Sequence, residues 1–254
     1  MGESAQPWYQ AFFGQDYLDV YGNVFTAERA EQEVGFVTEA LALTEGESVL
    51  DLCCGQGRHA LLLASRGMKV TGQDLSEEYL TLAAKAAAAG GIEIETVHSD
   101  MRLIPFEARF DAVINMFSAF GYLEDEAEDA KVLAAVSQAL KPGGRLLMDL
   151  LNREWVMGNV VPHDWHTGED GTLYLEHREV DLVASRNHVS FTAIAPDGSR
   201  REIAGHHFRL YTLTELVKML SAVGLEFARA YGGFEGEDYG IGTRRMIVVA
   251  RKSA

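Results

Sequence analysis

Residues 48–76, SVLDLCCGQGRHALLLASRGMKVTGQDLS, decide the fold. Val49, Leu50 and Leu52 form a short apolar run that reads as a buried strand. Gly55 and Gly57 follow in a turn where backbone can come close to a ligand. Residues 59–66 continue as a helix, with Ala60, Leu61, Leu63 and Ala64 supplying apolar contacts. Residues 69–73 are a second strand, and Asp74 stands at its end. Such a unit places a small ligand at the carboxyl ends of two adjacent parallel strands, with the acidic residue positioned for a ribose diol.

The residues around the turn narrow the ligand. Gly55-Gln56-Gly57-Arg58-His59-Ala60 approximates the dinucleotide fingerprint, with alanine in place of the third glycine. Asp51, however, precedes the turn at the strand end. A carboxylate there is a poor neighbour for a pyrophosphate and suits an ammonium or sulfonium group. Asp51, then Gly55 and Gly57, then Asp74 17 residues beyond Gly57, favour S-adenosyl-L-methionine over a nicotinamide dinucleotide.

Downstream, Ser76 caps a helix that runs through an alanine-rich stretch to Gly90-Gly91. Residues 92–98 alternate as a strand, and residues 110–116, FDAVINM, form the near-continuous apolar run of a strand covered on both faces. A helix is expected over 124–140, stopped by Lys141-Pro142-Gly143-Gly144, and a fifth strand over 145–151. The order reads as β-α four times and then β, which implies a doubly wound, mostly parallel α/β fold. Residues 152–211 break the pattern. Residues 173–182, 187–195 and 200–210 read as an antiparallel β insert of about three strands, and 161–170, VPHDWHTGED, as a polar loop anchored by Trp165 or as part of the acceptor pocket. Thr212 to Glu215 form a capping box for a last helix, and 225–231 and 244–250 close the chain as a hairpin. Upstream, Trp8, Tyr9, Phe12, Phe13, Tyr17, Tyr21 and Phe25 suggest an amphipathic helix that docks on the body and caps the ligand. The expectation is one domain over 1–254, with an N-terminal helical cap over 1–45 and the insert over 152–211 as a lid.

Of the 254 residues, 47% are hydrophobic and 24% charged, enough for a core without disulfides or metals. The net charge of −16 counts against a nucleic acid substrate. Cys53 and Cys54 are the two cysteines; adjacent, they read as reduced and point to the cytoplasm. The opening MGESAQPWYQ lacks a basic region followed by an apolar run, and no stretch approaches membrane-spanning length, so neither a signal peptide nor a membrane partner is expected.

The chain resembles class I S-adenosylmethionine-dependent methyltransferases. LDLCCGQGRH, SDMRLIPF, FSAFGYL, LKPGGR and FRLYTLTEL are similar to a group of bacterial small-molecule enzymes, and similar lids occur in sugar-amine N-methyltransferases. The resemblance covers nearly the whole chain. It implies a Rossmann-like seven-stranded sheet whose last strand is antiparallel to the rest. It also implies that Asp51 orders the turn and faces the methionine ammonium, and that the backbone of Cys53, Gly55 and Gly57 lines the methionine. Asp74 would hold the ribose with Leu75 against the adenine, and Asp100 with Met101 would hold the adenine amino group. Asn115 and Met116 would lie beside the sulfur. Tyr17 is a further cofactor candidate. Neither the Pro-Cys signature of cytosine C5 enzymes nor the Pro-Pro-Tyr signature of amide and adenine N-methylating enzymes is present. The implied activity is in-line methyl transfer, without metal, to a nitrogen or oxygen of a small molecule. Tyr21, His166, Arg209 and Tyr211 are the candidates for catalytic roles at the site mouth, in a monomer or homodimer. Competing readings are a regulatory protein that binds S-adenosylmethionine without transfer, an aminopropyl transferase and a protein methyltransferase.

Overall fold

The computed structural model of the protein describes residues 7–253. Residues 1–6, the start of the expected cap, lie outside them. The chain begins with two short helices, α1 (Trp8–Phe12) and α2 (Gln15–Tyr21), then a 3₁₀ turn and α3 (Ala27–Ala40). The single N-terminal helix of the sequence reading is thus broken at Gly14, whose extended backbone (φ −153°, ψ −151°) no helix accommodates.

The central unit follows as β1 (Ser48–Leu52), α4 (Arg58–Ser65), β2 (Lys69–Asp74), α5 (Glu77–Gly90), β3 (Glu95–His98), β4 (Phe110–Asn115), α6 (Glu126–Ala139) and β5 (Leu140–Leu151). Thr26, Ser76 and Asp125 cap α3, α5 and α6 by accepting a backbone N–H. No helix joins β3 to β4. That connection contains Pro105, and its place in the expected β-α alternation is taken by a loop. β3 is shorter than expected, and β5 begins at Leu140, before Pro142.

After β5 come a one-turn helix α7 (Arg153–Gly158), β6 (His163–Thr167), β7 (Leu173–Asp181), β8 (Arg186–Ile194) and β9 (Arg200–Arg209). These four strands form a separate antiparallel sheet in the order β6-β7-β8-β9, one strand more than the sequence suggested. The extra strand, His163–Thr167, lies within 161–170, expected as a loop. Too polar and exposed to carry an apolar alternation, it is held by pairing along β7. The chain closes with α8 (Leu213–Ala222), β10 (Leu225–Tyr231) and β11 (Arg245–Lys252).

The main sheet has seven strands in the order β10-β11-β5-β4-β1-β2-β3, with β11 antiparallel to both neighbours. Alternation along its strands builds two cores. Leu50, Leu52, Val113, Met148 and Val248 face α6 and α8, whereas Val49, Val70, Ile114, Leu147 and Ile247 face α3 and α4. A third cluster joins Phe12 and Val20 of the N-terminal helices to Tyr174, Val189 and Phe191 of the small sheet. This third cluster holds cap and lid against each other at the carboxyl edge of the main sheet.

Candidate active site

The carboxyl ends of β1, β2 and β4 open into a cavity of about 370 Å³, within the range of small-molecule sites. Leu52, Cys53 and Gly55 lie at its base. Gln73, Asp74, Leu75 and Ser76 form one side, Asp100 and Met101 another, and Met116 and Phe117 a third. Tyr9, Phe13 and Tyr17 close it from the N-terminal segment. Eight of the expected cofactor residues therefore line one space: Tyr17, Cys53, Gly55, Asp74, Leu75, Asp100, Met101 and Met116.

Asp74 is fixed from both sides. Its Oδ2 accepts the Gly55 N–H at 2.8 Å and its Oδ1 the Ser76 N–H at 2.9 Å. Burial pushes its pKa up, and these N–H groups oppose the rise. Each oxygen keeps capacity for a further donor. The Asp100 carboxylate is gripped by Arg102 through the backbone N–H, Nε and Nη2 at 2.8, 2.9 and 2.7 Å. Burial raises its pKa and the Arg102 bonds more than reverse this.

Asp51, Gly57 and Asn115 are not part of the cavity lining, although Gly57 was expected to line the methionine, Asn115 to lie beside the sulfur and Asp51 to order the turn and face the ammonium. Gly57 is the N-cap of α4 at φ 78°, and a Cβ there would stand 2.9 Å from that of Ala83 on α5. Its freedom from a side chain serves the turn and the packing of α4 on α5. Asn115 donates from Nδ2 to the Leu52 carbonyl at 3.1 Å, tying β4 to β1 behind the wall. Asp51 is 1% exposed beneath the turn. Burial lifts its pKa to about 6 against the pull of His59 and Arg58, and Asp74 adds to the rise. Among the described residues, Asp51 Oδ2, Gln73 Oε1 and Asn115 Oδ1 are buried without a donor. Of the three, Gln73 lines the cavity, so its Oε1 can accept from a ligand held there, while Asp51 lies beneath the turn and acts on a cationic ligand through its charge.

Several residues here escaped the sequence reading. Gln73 is wholly buried, lines the cavity and donates from Nε2 to the Asp100 carbonyl at 3.0 Å. Cys53, Phe117 and Ser118 adopt positive φ (63°, 57° and 60°), a conformation costly for residues with side chains. Asp149 holds the second pair: its Oδ2 accepts the Phe117 N–H at 2.9 Å and its carbonyl the Ser118 N–H at 2.8 Å. Arg245 donates from Nε to Asp149 Oδ1 at 2.7 Å. No local sequence signal marks this clamp, because its members lie on different strands.

Beyond Phe117 a small side chamber is lined by Leu18, Phe25, Gly55 and Arg58. Arg58 and Arg29 both lie over the Phe117 ring, at 5.9 and 5.6 Å. Glu33, 1% exposed, pairs with Arg29, Arg58 and His59, and so ties α3 to the start of α4.

The four catalytic candidates are not brought together. Tyr21 stands beside the cavity, its ring 6.2 Å from Phe117 and its hydroxyl hydrogen-bonded to His206 Nε2 at 2.8 Å. Burial lowers the His206 pKa to about 3, so the imidazole is neutral at physiological pH. Burial, with Glu176 nearby, raises that of Tyr21. His166 stacks on Tyr174 at 5.2 Å on the edge strand of the lid, away from the cavity lining. Tyr211 does not enter the cleft: it is 2% exposed in the core against α8, and its hydroxyl donates to Asp129 Oδ2 at 2.7 Å. Arg209 is turned away as well, bonded to Glu215 and paired with Glu126. Their place at the junction of insert and helix left two readings, side chains in the cleft or side chains that pin the insert, and the contacts of both follow the second.

Among the described residues no group of three or more His, Cys, Asp or Glu side chains has a metal-binding arrangement. No helix among them is long and apolar enough to cross a membrane.

A family model described as a methyltransferase domain matches residues 49–144. The chain is 28% identical over 240 residues to the dTDP-3-amino-3,4,6-trideoxy-alpha-D-glucopyranose N,N-dimethyltransferase of Streptomyces venezuelae, covering 89% of this chain and 97% of that one. The crystallised CcbJ methyltransferase of Streptomyces caelestis has a similar fold, with a TM-score of 0.82, 24% identity, and 96% and 99% of the two chains covered. So has CalS10 of Micromonospora echinaspora, an amino pentose methyltransferase solved with S-adenosylmethionine bound, with a TM-score of 0.69, 23% identity and 100% of both chains covered.

Proposed function

We propose, for a chain that is a class I S-adenosylmethionine-dependent methyltransferase similar to sugar-amine N-methyltransferases, that the methyl acceptor is a small amine held between the aromatic cap and the β lid. When bound, S-adenosylmethionine supplies a methyl group already activated on a sulfonium. Asp74 holds the ribose, and Asp100 with Gln73 holds the adenine end. Asp51 acts through the turn it supports, and Arg58 takes the methionine carboxylate. Phe117 and Met116 border the methyl group.

What remains for the protein is alignment and exclusion of water. The observation that carries the reading is the enclosure: Tyr9, Phe13 and Tyr17 close over the cofactor cavity, and Tyr21 reaches from the same segment to His206 of the lid. A neutral imidazole and a protonated phenol suit orientation of an uncharged amine through its N–H better than proton abstraction. The attacking nitrogen uses its own lone pair, and the proton of the product ammonium leaves to solvent. The dimethyltransferase of Streptomyces venezuelae, whose name specifies an amino sugar, supports an amine acceptor of that size.

The test is untargeted mass spectrometry of a metabolite extract incubated with the protein and S-adenosylmethionine labelled in its methyl group. Label in a small amine is expected. Label confined to protein bands, or cofactor binding with no transfer at all, would replace this reading with a protein methyltransferase or a cofactor-binding regulator.

A further inference from the structure

Tyr9, Tyr17, Tyr79 and Tyr122 all line the cofactor cavity. Tyr79 donates its hydroxyl proton to the Gly14 carbonyl at 2.9 Å, and Tyr9 stands in the field of Arg102 and Asp100 at the adenine end. The hydroxyls of Tyr17 and Tyr122 have no hydrogen-bond partner among the described residues, and neither is sealed off from the cavity. Tyr17 belongs to the cap, where its ring packs among Phe12, Phe13 and Tyr21. Tyr122 belongs to the loop after β4, the same loop that carries Phe117.

Cap, lid and main sheet all fix Tyr122. The Arg209 N–H of β9 donates to the Gly121 carbonyl at 2.8 Å, and Trp8 of the cap donates from Nε1 to the Tyr122 carbonyl at 3.3 Å. Gly121 has φ 91°, and a Cβ there would stand 2.6 Å from the Arg209 carbonyl oxygen, so loop and lid meet backbone to backbone. The Tyr122 ring lies 5.2 Å from Trp8, 5.4 Å from Phe13 and 6.1 Å from Phe208 of the lid. A buried tyrosine ordinarily finds a partner for its hydroxyl, and here a ring held from three sides presents one without a partner. Burial pushes its pKa well up, with Cys53, Tyr21 and Asp74 adding to the rise, so the phenol stays protonated. Those neighbours place it between the cofactor floor and the Tyr21–His206 pair.

We propose that the Tyr122 hydroxyl positions the methyl acceptor by accepting an N–H of its attacking amine. This role rests on the reading of the cap–lid space as the acceptor site. Held through its N–H, the nitrogen turns its lone pair toward the methyl group bordered by Phe117 and Met116. The nitrogen–carbon bond forms as the carbon–sulfur bond breaks, the electron pair of the broken bond stays on sulfur, and S-adenosylhomocysteine and an ammonium product result. The proton of that ammonium leaves to solvent, because a protonated phenol cannot take it.

The experiment measures transfer of labelled methyl from saturating S-adenosylmethionine into the small molecules of a metabolite extract, over a dilution series of the extract. Tyr122→Phe keeps the ring and its packing. It is expected to transfer label roughly tenfold or more slowly, while its affinity for S-adenosylhomocysteine and its thermal midpoint stay as in the unmodified protein. Phe208→Leu loosens the same ring without removing a polar group, and a smaller loss is expected from it. An equal loss in Phe208→Leu, or transfer by Tyr122→Phe at the unmodified rate, overturns the role of the hydroxyl and leaves the methyltransferase reading standing. A fall in S-adenosylhomocysteine affinity that matches the fall in transfer assigns the hydroxyl to the cofactor and overturns it as well. No transfer into small molecules by the unmodified protein overturns the acceptor reading and the role of Tyr122 with it.

Discussion

Asp74 already accepts one backbone N–H on each carboxylate oxygen, so its rotamer is set before a ribose arrives. Replacing it by alanine removes both the ribose acceptor and the bond that shapes the Gly55 turn. Asp74→Ala is expected to weaken S-adenosylmethionine binding roughly tenfold or more, since a hydrogen bond to a charged group contributes about 1.5–3 kcal/mol. Unchanged affinity by calorimetry would remove Asp74 from the site. Asp51 responds to pH instead. Burial raises its pKa to about 6, with His59 and Arg58 opposing, so the carboxylate beneath the turn is protonated as the pH falls below that value. A ligand carrying an ammonium favours the ionised form, so affinity for S-adenosylhomocysteine should decline from pH 7.5 to 5. Asp51→Asn should flatten the decline; an identical profile in that variant would assign the effect to another group. Asp51 and Asp74 were both legible in the sequence because strand tip and turn lie within 24 residues. Gln73 was not, because its role depends on the Asp100 carbonyl in the loop that follows β3.

Among the elements, α3 and α4 are joined by Glu33. Burial raises the pKa of this carboxylate, but His59, Arg58 and Arg29 together bring it down to about 2 from an ordinary 4.5. A depressed carboxylate stabilises the fold above its unfolded value and loses that contribution as the pH falls through its folded one. The window therefore runs from about pH 4.5 down to 2, and the whole contribution is on the order of 3 kcal/mol. Urea unfolding of Glu33→Gln at pH 7 and pH 3 should show a smaller loss of stability on acidification than the unmodified protein. Equal losses would mean that other carboxylates dominate. The helices themselves were readable from caps and periodicity, as at Ser76 and at the Thr212–Glu215 capping box. Element errors came where polarity hid a strand, as at His163–Thr167. Another came where a proline-containing connection supplied no helix between β3 and β4.

For the whole molecule, the consequential feature is that cap and lid share a core separate from the two cores of the main sheet. Phe12 and Phe191 stack at 6.2 Å within it. Phe191→Ala removes packing worth about 3–5 kcal/mol from this cluster alone. Amide exchange measured by mass spectrometry should speed up in residues 8–21 and along β7 to β9, while β1, β4 and β5 keep their protection. Uniform acceleration would show that the lid is part of one cooperative unit with the sheet. The alternation of strand and helix, the glycine turn and its two acidic markers are local in the chain, so their spacing alone established the sheet and the cofactor. The acceptor side proposed above rests on meetings between distant segments: Tyr21 with His206 and Phe117 with Asp149. Long-range packing also sent Tyr211 to the core and Arg209 to the acidic side chains of α6 and α8, because burial and pairing were available there. Sequence spacing carries no information about which distant surfaces will meet, and only the folded chain decided that part of the site.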